Sequence, residues 1–451
     1  MKLEGKNVIV IGMAKTGISV VKKLIEKKAV VTITDMKSKA DVLEIIEELG
    51  EEKIDFILGR NPSDEEMNSF DFAVVSPGVP KDLPYIINFI ESGKSVIGEI
   101  ELAYKMTKGN FLGITGTNGK TTTTTLVGEI FKEASIESWV VGNIGNPVID
   151  VAEKATDKSW FITELSSFQL ESIDEFRPKV AGILNITPDH LNRHKTMENY
   201  ISAKCDIFKN QSKDDFAILN WDCEEAKKLS AEIKSQVIFF SRKEKLNRGV
   251  FVEGENIISN IFEEDVFVMK TSEIYLPGSH NLENALGACA LSICAGIKID
   301  VIREVLKTFK GVEHRLEFVK DVNGVSYVND SKGTNPDASI KAVQAYQRPI
   351  ILIAGGMDKG SDFTSFIEAF GGKVKDMILL GETAEKIETT ARKLGFENNH
   401  RVKNMEEAVL KAFELGKEGD VVLLSPACAS WDMYPSYEVR GQDFKDRVNS
   451  L

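Results

Sequence analysis

Cysteine is scarce in this chain of 451 residues. The cysteines are odd in number and widely scattered, and none belongs to a C-x-x-C pair; they are Cys205, Cys223, Cys289, Cys294 and Cys428. This pattern favours neither a zinc site nor a disulfide framework. We therefore expect free thiols in a reducing compartment.

Long apolar runs and an excess of basic charge are also missing. The longest apolar stretch, around residues 286–297, is too short and too rich in small residues to span a bilayer. The chain enters a predicted strand almost directly after Met1, so we expect no signal peptide. A formal net charge of −13 excludes a general nucleic-acid or membrane-surface binder, which would need a basic face. We expect a soluble cytoplasmic protein without nucleic-acid or membrane partners.

Strand-like and helix-like segments alternate along the whole chain, and this order predicts an α/β fold with mainly parallel sheets. The length suits several domains. We predict a Rossmann-like domain over 1–98, a central P-loop NTPase-like domain over 99–311 and a second Rossmann-like domain over 312–451. Short β-rich pieces within 237–274 predict a small antiparallel appendage on the central domain.

The strongest motif lies between a predicted strand (111–115) and a predicted helix, and it reads Gly116-Thr117-Asn118-Gly119-Lys120-Thr121-Thr122. Glycines let backbone N–H groups face a phosphate, and the helix N-terminus adds positive potential. Lys120 can reach the terminal phosphates, and Thr121 can offer its hydroxyl to Mg²⁺. The spacing departs from a strict Walker A motif, because Ile114 stands six positions before the lysine. An ordinary glycine-rich turn is the alternative interpretation.

Two chemically distinctive side chains follow the next predicted strands. Glu164 ends the strand 160–163, and His190 lies past the strand 180–186. Ligands of open α/β sheets bind at the carboxyl ends of strands, and a carboxylate there can hold Mg²⁺. Taken alone, Glu164 would be a solvated turn residue and His190 a structural histidine. Beside a P-loop, we interpret both as metal ligands.

The first predicted βαβ unit consists of a strand at Asn7–Ile11, a helix at 18–27 and a second strand ending at Asp35. Its turn resembles a dinucleotide fingerprint, but Ala14 replaces the middle glycine that lets a pyrophosphate approach. An NAD-dependent oxidoreductase is therefore a poor alternative, and a UDP site fits better because the P-loop already accounts for ATP. The candidates for that site are Thr16, Gly17, Asp35, Lys37 and Gly78.

The runs GTNGKTT, ELSSFQLE and NITPDHLNRH resemble the Mur ligase family, and the similarity extends over the whole chain. This resemblance implies three domains that bind a UDP-sugar, ATP and an amino acid. It also implies an amide ligase that works through an acyl phosphate and releases ADP and phosphate. The runs 329–338 (NDSKGTNPDA) and 425–432 (SPACASWD) most resemble the family members that add D-glutamate to UDP-N-acetylmuramoyl-L-alanine during peptidoglycan precursor synthesis.

Three alternatives stay open beside that interpretation. One is a Mur ligase that adds a different amino acid, although no D-N-P-like motif of a diaminopimelate-adding ligase occurs. Another is a folylpolyglutamate synthase of the same superfamily. The third is a non-catalytic nucleotide sensor, which would not need a second metal site.

The resemblance also implies a catalytic set of Lys120, Glu164, His190 and Lys204. Lys204 matches the position of a carbamylated lysine, although without the family pattern it would be an exposed helix lysine. Two Mg²⁺ ions are expected at Thr121, Glu164, His190 and carbamylated Lys204. We expect the enzyme to be a monomer.

Substrate contacts are carried over in the same way, one position at a time. The muramoyl substrate or the nucleotide would contact Gly142, Asn143, Ser166 and Gln169. ATP would further contact Asn281, Asn284, Arg315 and Asp330, where Asn281 could otherwise be only a helix N-cap. The residues expected around D-glutamate are Lys332, Thr334, Lys359, Ser430 and Tyr437. The alternative interpretation of Lys359 is an ordinary solvated lysine in a loop.

Overall fold

The structure, a computed structural model, describes residues 1–50, 54–262, 264–276, 278–358 and 360–451. The chain forms two compact units, Met1–Phe309 and Lys310–Leu451, here called the N-terminal and C-terminal units. None of the helices in the described ranges is both long enough and apolar enough to cross a membrane.

The first sheet of the N-terminal unit has five parallel strands: β1 Asn7–Ile11, β2 Val30–Asp35, β3 Ile54–Leu58, β4 Phe72–Val75 and β5 Ser95–Gly98. Four helices accompany them: α1 Lys15–Glu26, α2 Leu43–Leu49, α3 Asp64–Asn68 and α4 Pro84–Glu91. The strand order β3-β2-β1-β4-β5 is Rossmann-like, with its topological switch point between β1 and β4. The predicted βαβ unit is confirmed, although α1 begins three residues before the predicted start.

The second sheet of the N-terminal unit has nine strands: β6 Asn110–Thr115, β7 Ser138–Gly142, β8 Trp160–Glu164, β9 Val180–Ile183, β10 Phe216–Asn220, β11 Gln236–Ser241, β12 Gly249–Glu253, β13 Asn256–Ser259 and β14 Val266–Lys270. The helices around it are α5 Glu99–Met106, α6 Lys120–Glu133, α7 Ser167–Leu170, α8 Leu191–His194, α9 Met197–Cys205, α10 Glu224–Leu229, α11 Ser279–Cys294 and α12 Ile299–Thr308. Its strand order is β14-β13-β12-β11-β10-β9-β6-β8-β7.

Within this sheet, β6 lies between β8 and β9 and pairs in parallel with both. The register places Ile114 opposite Glu164, and Thr115 opposite Ile183. The carboxyl ends of these strands therefore meet at one edge of the sheet. This edge carries the glycine-rich turn and the acidic side chain that the sequence singled out.

The predicted antiparallel appendage is present, but it is continuous with the main sheet. The strands β12, β13 and β14 pair antiparallel at its edge. The preceding strand β11, which the sequence placed in the appendage, instead pairs in parallel with β10 and β12. A strand's pairing direction depends on its neighbours in space, so a β-rich composition alone could not assign β11.

The apolar run predicted around 286–297 lies mostly in α11, where every residue from Asn284 to Ile293 is buried. It packs in one core with Leu126, Val127 and Phe131 of α6. Small residues permit this close packing, as a Cβ atom at Gly287 would lie 3.1 Å from Leu184 Cδ2. The run is therefore a core helix, as its small residues indicated.

The C-terminal unit contains one six-stranded sheet: β15 Glu317–Val322, β16 Val325–Asn329, β17 Ile350–Ala354, β18 Val374–Leu379, β19 Asn399–Arg401 and β20 Val421–Leu424. Its helices are α13 Pro336–Gln344, α14 Thr364–Glu368, α15 Ala384–Lys393, α16 Met405–Leu415 and α17 Tyr437–Asn449. The strand order is β15-β16-β20-β17-β18-β19, and only the β15–β16 pair is antiparallel among the pairings described. The α/β fold with three sheet domains agrees with the prediction.

Candidate active site

The glycine-rich turn connects the end of β6 to the start of α6. Gly119 has a φ of +80°, and a Cβ atom there would lie 2.2 Å from Asn284 Oδ1. Lys120 folds back over the turn, and its Nζ donates to the carbonyl oxygens of Gly116 and Thr117, both at 2.9 Å. The turn thus places an ammonium group and the positive end of a helix together, which suits a phosphate.

A second loop is fastened directly to this turn. The backbone N–H of Thr117 donates to the Asn185 carbonyl oxygen at 3.0 Å, and the N–H of Asn118 donates to Asn185 Oδ1 at 2.8 Å. Thr117 Oγ1 also lies 3.1 Å from the Thr187 carbonyl oxygen and 3.0 Å from the Tyr200 hydroxyl. These bonds hold the segment that leads to His190 beside the P-loop.

Glu164 is the clearest candidate for a cation ligand at this edge. Its side chain is buried, and Oε1 accepts a hydrogen bond from Asn143 Nδ2 at 2.7 Å. The other oxygen, Oε2, is buried and has no hydrogen-bond partner in the described part of the chain. A buried carboxylate oxygen without a donor is costly unless a ligand satisfies it. The donor set therefore fits a hard cation such as Mg²⁺.

Gly142 and Asn143 are packed against Glu164 through the backbone as well. The Asn143 N–H donates to the Glu164 carbonyl oxygen at 2.9 Å. A Cβ atom at Gly142, whose φ is +101°, would lie only 2.4 Å from the same oxygen. The sequence assigned these three residues separately, and the structure brings them together.

Lys204 is buried in α9, with 2 % of its surface exposed. Its Nζ donates to the Gly116 carbonyl oxygen at 2.9 Å, approaches Thr115 Oγ1 at 3.5 Å and lies 4.6 Å from the centre of the Tyr200 ring. Burial, followed by the charge of Lys120, lowers the pKa of Lys204 to about 7. The exposed-lysine alternative is therefore wrong for this position.

His190 is placed differently from the sequence prediction. The strand β9 ends at Ile183 and not at residue 186, so His190 lies in a loop and not directly past a strand end. Its φ is +54°, its side chain is 51 % exposed, and its ring centre lies 5.0 Å from that of Phe168. Hydrogen bonds of Asn185 and Thr187 with the P-loop turn hold this loop beside the site, a constraint that no local sequence pattern reveals.

Across the described ranges, no three His, Cys, Asp or Glu side chains lie close enough together to hold a metal ion. This agrees with the chemistry of Mg²⁺, which commonly takes one or two carboxylates and completes its shell with water and substrate phosphates. Thr121, the expected hydroxyl ligand, is buried at the start of α6. The expected roles of Thr121, Glu164, His190 and Lys204 as metal ligands stay predictions.

A small pocket beside the P-loop contains the two asparagines expected near adenine. Asn281 and Asn284 line it together with Thr122, and the apolar side comes from Leu126, Ile274, Leu276, Ala285, Leu306 and Phe309. The N-cap of α11 is Gly278, so Asn281 is not the N-cap that the alternative interpretation required. The pocket is small and mainly apolar, and the expected contact of both asparagines with adenine stays a prediction.

In the first sheet, Asp35 holds the turn that follows β1. Its Oδ2 accepts from the Met13 N–H at 2.8 Å, and its Oδ1 accepts from the Lys37 N–H at 3.0 Å. A Cβ atom at Gly17 would lie 2.0 Å from the Gly12 carbonyl oxygen, so the turn requires glycine at this position. Thr16 is half-buried and Gly78 is exposed. The expected ribose contact of Asp35 stays a prediction.

Ser166 and Gln169 satisfy one another at the start of α7. Gln169 Oε1 accepts from the Ser166 N–H at 2.9 Å, and Ser166 Oγ accepts from the Gln169 N–H at 3.2 Å. This capping box accounts for both residues structurally. Their expected role in substrate binding stays a prediction.

The residues expected around the amino acid lie in the C-terminal unit, except that Lys359 lies outside the described residues. Asp330 is buried and accepts from Ser425 Oγ at 2.7 Å, and burial raises its pKa to about 6. Ser430 is also buried, and burial raises the pKa of Tyr437 to about 12. Lys332 and Thr334 are the remaining positions expected around the amino acid, whereas Asp330 and Arg315 are the positions of this unit expected to contact ATP.

Family models match the chain in three consecutive parts: a MurD-like Mur ligase N-terminal domain at 6–98, a Mur ligase middle domain at 114–292 and a Mur ligase glutamate ligase domain at 314–428. The UDP-N-acetylmuramoylalanine–D-glutamate ligase of Clostridioides difficile is 56% identical over 453 aligned positions, which cover 100% of both chains. The chain belongs to the Mur ligase family. A relative of the same name from Alkaliphilus oremlandii is 52% identical, again over 100% of both chains.

Solved Mur ligase structures share the fold over nearly the whole chain. The UDP-N-acetylmuramate–alanine ligase of Thermotoga maritima has a TM-score of 0.55 at 19% identity and covers 99% of both chains. A MurF structure from Acinetobacter baumannii has a TM-score of 0.56 at 14% identity and covers 98% of this chain and 91% of that one. Mur ligases use ATP and Mg²⁺, in agreement with the P-loop and the unsatisfied oxygen of Glu164.

Sequence reasoning missed several residues that hold this Mur ligase site in place. Arg193 donates to the carbonyl oxygens of Gly78 at 3.3 Å and Val79 at 3.0 Å, which ties the turn after β4 to the loop of His190. His194 Nε2 lies 2.9 Å from Ser167 Oγ. Both carbonyl groups lie more than a hundred residues from Arg193 along the chain, so no local sequence pattern reveals these contacts.

Proposed function

We propose that this Mur ligase joins D-glutamate to UDP-N-acetylmuramoyl-L-alanine, and that ATP is converted to ADP and phosphate in the reaction. The observation that carries the proposal is full-length identity of 56% to a ligase named for these two substrates. Solved structures of ligases named for other substrates are 14–19% identical to this chain, which supports a shared fold alone. The product belongs to peptidoglycan precursor synthesis.

The chemistry requires activation, because a carboxylate is a poor electrophile. A carboxylate oxygen of the muramoyl-alanine attacks the γ-phosphorus of ATP, the bond to the β-phosphate oxygen breaks, and ADP leaves. The amine nitrogen of D-glutamate then attacks the acyl carbon, and phosphate leaves from the tetrahedral intermediate with loss of a proton from nitrogen. Transfer of a phosphoryl group depends mainly on alignment and charge stabilisation. Lys120 and the positive end of α6 would supply both at the terminal phosphates.

Thr121, Glu164, His190 and carbamylated Lys204 are the residues that would hold two Mg²⁺ ions. Bound there, Mg²⁺ would neutralise charge on the transferring phosphoryl group. Support comes from the unpartnered Oε2 of Glu164 and from the burial of Lys204 beside the P-loop. A bare ammonium at Lys204 would repel a cation, whereas a carbamate would present oxygen ligands to it.

Substrate binding is proposed on the positions that the family pattern matches. The UDP-substrate would be bound by Thr16, Gly17, Asp35, Lys37, Gly78, Gly142, Asn143, Ser166 and Gln169. In support, Arg193 and the bond from Lys15 Nζ to the Gly145 carbonyl oxygen at 2.8 Å join the two sheet domains that contribute these positions. Asn281 and Asn284 would bind adenine in the pocket beside the P-loop. The monomeric state and the cytoplasmic location stay predictions.

D-Glutamate is proposed to bind in the C-terminal unit, at Lys332, Thr334, Lys359, Ser430 and Tyr437. A dicarboxylate needs a cation together with neutral donors that distinguish its two arms. The two lysines and the hydroxyl groups of Thr334 and Ser430 provide these types of group. Arg315 and Asp330 are proposed to act on ATP.

The test is a phosphate-release assay in which each substrate is omitted in turn. We expect phosphate only when ATP, Mg²⁺, UDP-N-acetylmuramoyl-L-alanine and D-glutamate are all present. Lys120→Ala should lower the rate by about a hundredfold or more, because a charge that stabilises the transition state is lost. Phosphate release with a folate or with a different amino acid in place of D-glutamate would contradict the proposal, as would full turnover by Lys120→Ala.

A further inference from the structure

Arg440 of α17 is a buried cation in the C-terminal unit, with 3 % of its surface exposed. Its guanidinium donates to neutral oxygens: Nε to Ser331 Oγ at 3.0 Å, Nη2 to the Ser331 carbonyl oxygen at 2.9 Å, and Nη1 to the carbonyl oxygens of Cys428 at 3.1 Å and Ala429 at 3.2 Å. A buried charge is costly even when its hydrogen bonds are made. A side chain of this kind therefore calls for a reason beyond packing.

No carboxylate in the described part of the chain comes within 4.0 Å of this guanidinium. Asp432 and Asp330 act on it only through longer-range attraction. Both have other partners, because Asp432 Oδ2 accepts from the Glu382 N–H at 2.9 Å and Asp330 Oδ2 accepts from Ser425 Oγ at 2.7 Å. The positive charge of Arg440 is thus left without an ion-pair partner inside the fold.

The contacts of Arg440 join the segments that carry the residues proposed to bind D-glutamate. D-Glutamate is called the acceptor below, because its amine accepts the acyl group. Ser331 directly precedes Lys332, and Ala429 directly precedes Ser430. Tyr437 begins the helix of Arg440, and its carbonyl oxygen accepts from Ser331 Oγ at 2.8 Å. One side chain therefore connects two loops to the helix that Tyr437 begins.

A fourth segment packs against the same guanidinium. The Met357 N–H donates to the Ala429 carbonyl oxygen at 2.9 Å, the oxygen that Arg440 Nη1 also contacts. A Cβ atom at Gly356, whose φ is +143°, would lie 3.2 Å from Nη1 and 2.2 Å from that oxygen. This turn is the one that leads to position 359.

We propose that Arg440 is a positioning residue for the amino-acid acceptor. It holds the four segments in register and places an uncompensated positive charge behind a pocket for a dicarboxylate. The inference rests on the proposed function, because the acceptor-binding positions come from it. A planar guanidinium can bind several carbonyl groups in fixed directions, which a lysine ammonium cannot do.

Two substitutions separate the geometry of Arg440 from its charge. Arg440→Lys keeps the positive charge but loses the planar guanidinium with its several N–H donors. Arg440→Met loses both the charge and the donors. Steady-state kinetics should show KM for D-glutamate raised by about tenfold in Arg440→Lys and further in Arg440→Met, as expected for lost charge-assisted hydrogen bonds. KM for the UDP-substrate should stay within about twofold, since its proposed residues lie in the N-terminal unit. KM for ATP should rise less than KM for D-glutamate, because Asp330 beside Ser331 is one of several proposed ATP contacts.

Arg447 provides a matched control on the same helix. Its side chain is 43% exposed and pairs with Asp443 and Glu406, both at 3.2 Å. Arg447→Lys and Arg447→Met should leave all three KM values unchanged, because exposed ion pairs contribute little. Near-ultraviolet circular dichroism would check that each variant is folded. If Arg440→Met does not fold, Ser331→Ala removes one Arg440 contact and should still raise KM for D-glutamate.

D-Glutamine, in which the second carboxylate is a neutral amide, tests the role of the charge. Arg440→Met should lose more activity with D-glutamate than with D-glutamine, and Arg440→Lys should largely retain the preference for D-glutamate. Folded variants that keep the wild-type KM for D-glutamate, or that change all three KM values equally, would overturn the role of Arg440. A wild-type enzyme that ignores D-glutamate would instead overturn the proposed function.

Discussion

Glu164 and Lys204 are buried side chains whose polar atoms the fold does not fully satisfy. Among the described residues, Glu164 Oε2 has no hydrogen-bond partner, and Lys204 Nζ donates to one carbonyl oxygen, with a hydroxyl at 3.5 Å and the Tyr200 ring at 4.6 Å. In an ordinary core such groups cost free energy and would be replaced by apolar residues. Their position beside the P-loop supports the role in ligand binding that we propose for them.

Carbamylation of Lys204 can be tested directly. The neutral amine would add to CO₂, giving a carbamate and releasing one proton. Because burial lowers the pKa of Lys204 to about 7, the amine should be mostly neutral at higher pH and mostly protonated at lower pH. With ¹³C-labelled bicarbonate, a carbamate NMR signal should appear in the wild type and weaken as the pH falls through about 7.

Lys204→Ala should remove this signal and nearly all activity, and a small added carboxylate should restore part of the activity. The control is Lys209→Ala, because Lys209 is exposed four residues past the helix of Lys204. It should keep both the signal and the rate. A fully active wild-type enzyme without a carbamate signal would contradict this prediction.

The P-loop turn requires glycine at position 119 because its φ is positive and because a Cβ atom there would meet Asn284. A pair of variants can separate these two reasons. Gly119 and Gly93 have φ values of +80° and +84°, but only at Gly119 would a Cβ atom meet a neighbour. Both alanine variants should lose about 1–2 kcal/mol from the left-handed conformation. Gly119→Ala should in addition weaken ATP binding by about tenfold or more, because Asn284 or the turn must shift.

Thermal unfolding would measure the loss of stability that both variants share. Calorimetric titration with ATP would measure the difference in their affinity for ATP. Gly93→Ala should bind ATP like the wild type. Equal ATP affinity in Gly119→Ala and Gly93→Ala would show that the close approach to Asn284 has no role in nucleotide binding.

Two glutamates near the start of α5 are expected to affect the free energy of unfolding in opposite directions when each is replaced by glutamine. Glu99 is fully buried, and its Oε1 accepts from the Ile149 N–H at 2.7 Å; burial raises its pKa to about 7. A raised carboxyl pKa means that Glu99 stabilises the fold when protonated and that this contribution is lost as the pH rises through about 7. Glu99→Gln should therefore be more stable than the wild type above about pH 7, with the difference shrinking toward pH 5.

Glu101 serves as the contrast in the same measurement. Its two carboxylate oxygens accept from the N–H groups of Asp174, Glu175 and Phe176 at 2.8, 3.0 and 2.9 Å. Glutamine has one acceptor oxygen, so Glu101→Gln should lose about 1–3 kcal/mol of unfolding free energy. Denaturant unfolding over a pH series would measure both variants. A Glu99→Gln variant with an unchanged pH profile would contradict the account.

Elements with a strong local pattern were predictable from the sequence. The strand β1, the end of β2 at Asp35 and the P-loop turn follow from apolar runs bounded by glycine and acidic residues. The parallel pairing of β11 and the early end of β9 depend on neighbours in space, and the sequence predictions for them differ from the structure. The contacts of Arg193 and Arg440 join distant segments, so no spacing along the chain could reveal them.

Across the whole molecule, the proposed reaction uses an acid, an amine and ATP, and its residues come from all three sheet domains. The net charge of −13 means that anionic substrates are not attracted by the molecule as a whole. Binding must therefore come from local cations and backbone amides, such as Lys120 and the turn around it. The account depends most on the identity of the amino acid that the enzyme adds.

The most direct test combines product identification with an isotope label. The purified protein would be given ATP, Mg²⁺, D-glutamate and UDP-N-acetylmuramoyl-L-alanine labelled with ¹⁸O in its alanyl carboxylate, and the products would be analysed by mass spectrometry. We predict a D-glutamyl amide of the UDP-substrate, ADP, and phosphate carrying one labelled oxygen, because that oxygen passes from the carboxylate through the acyl phosphate. No glutamyl product in the presence of all substrates, or a glutamyl product with unlabelled phosphate, would contradict the account.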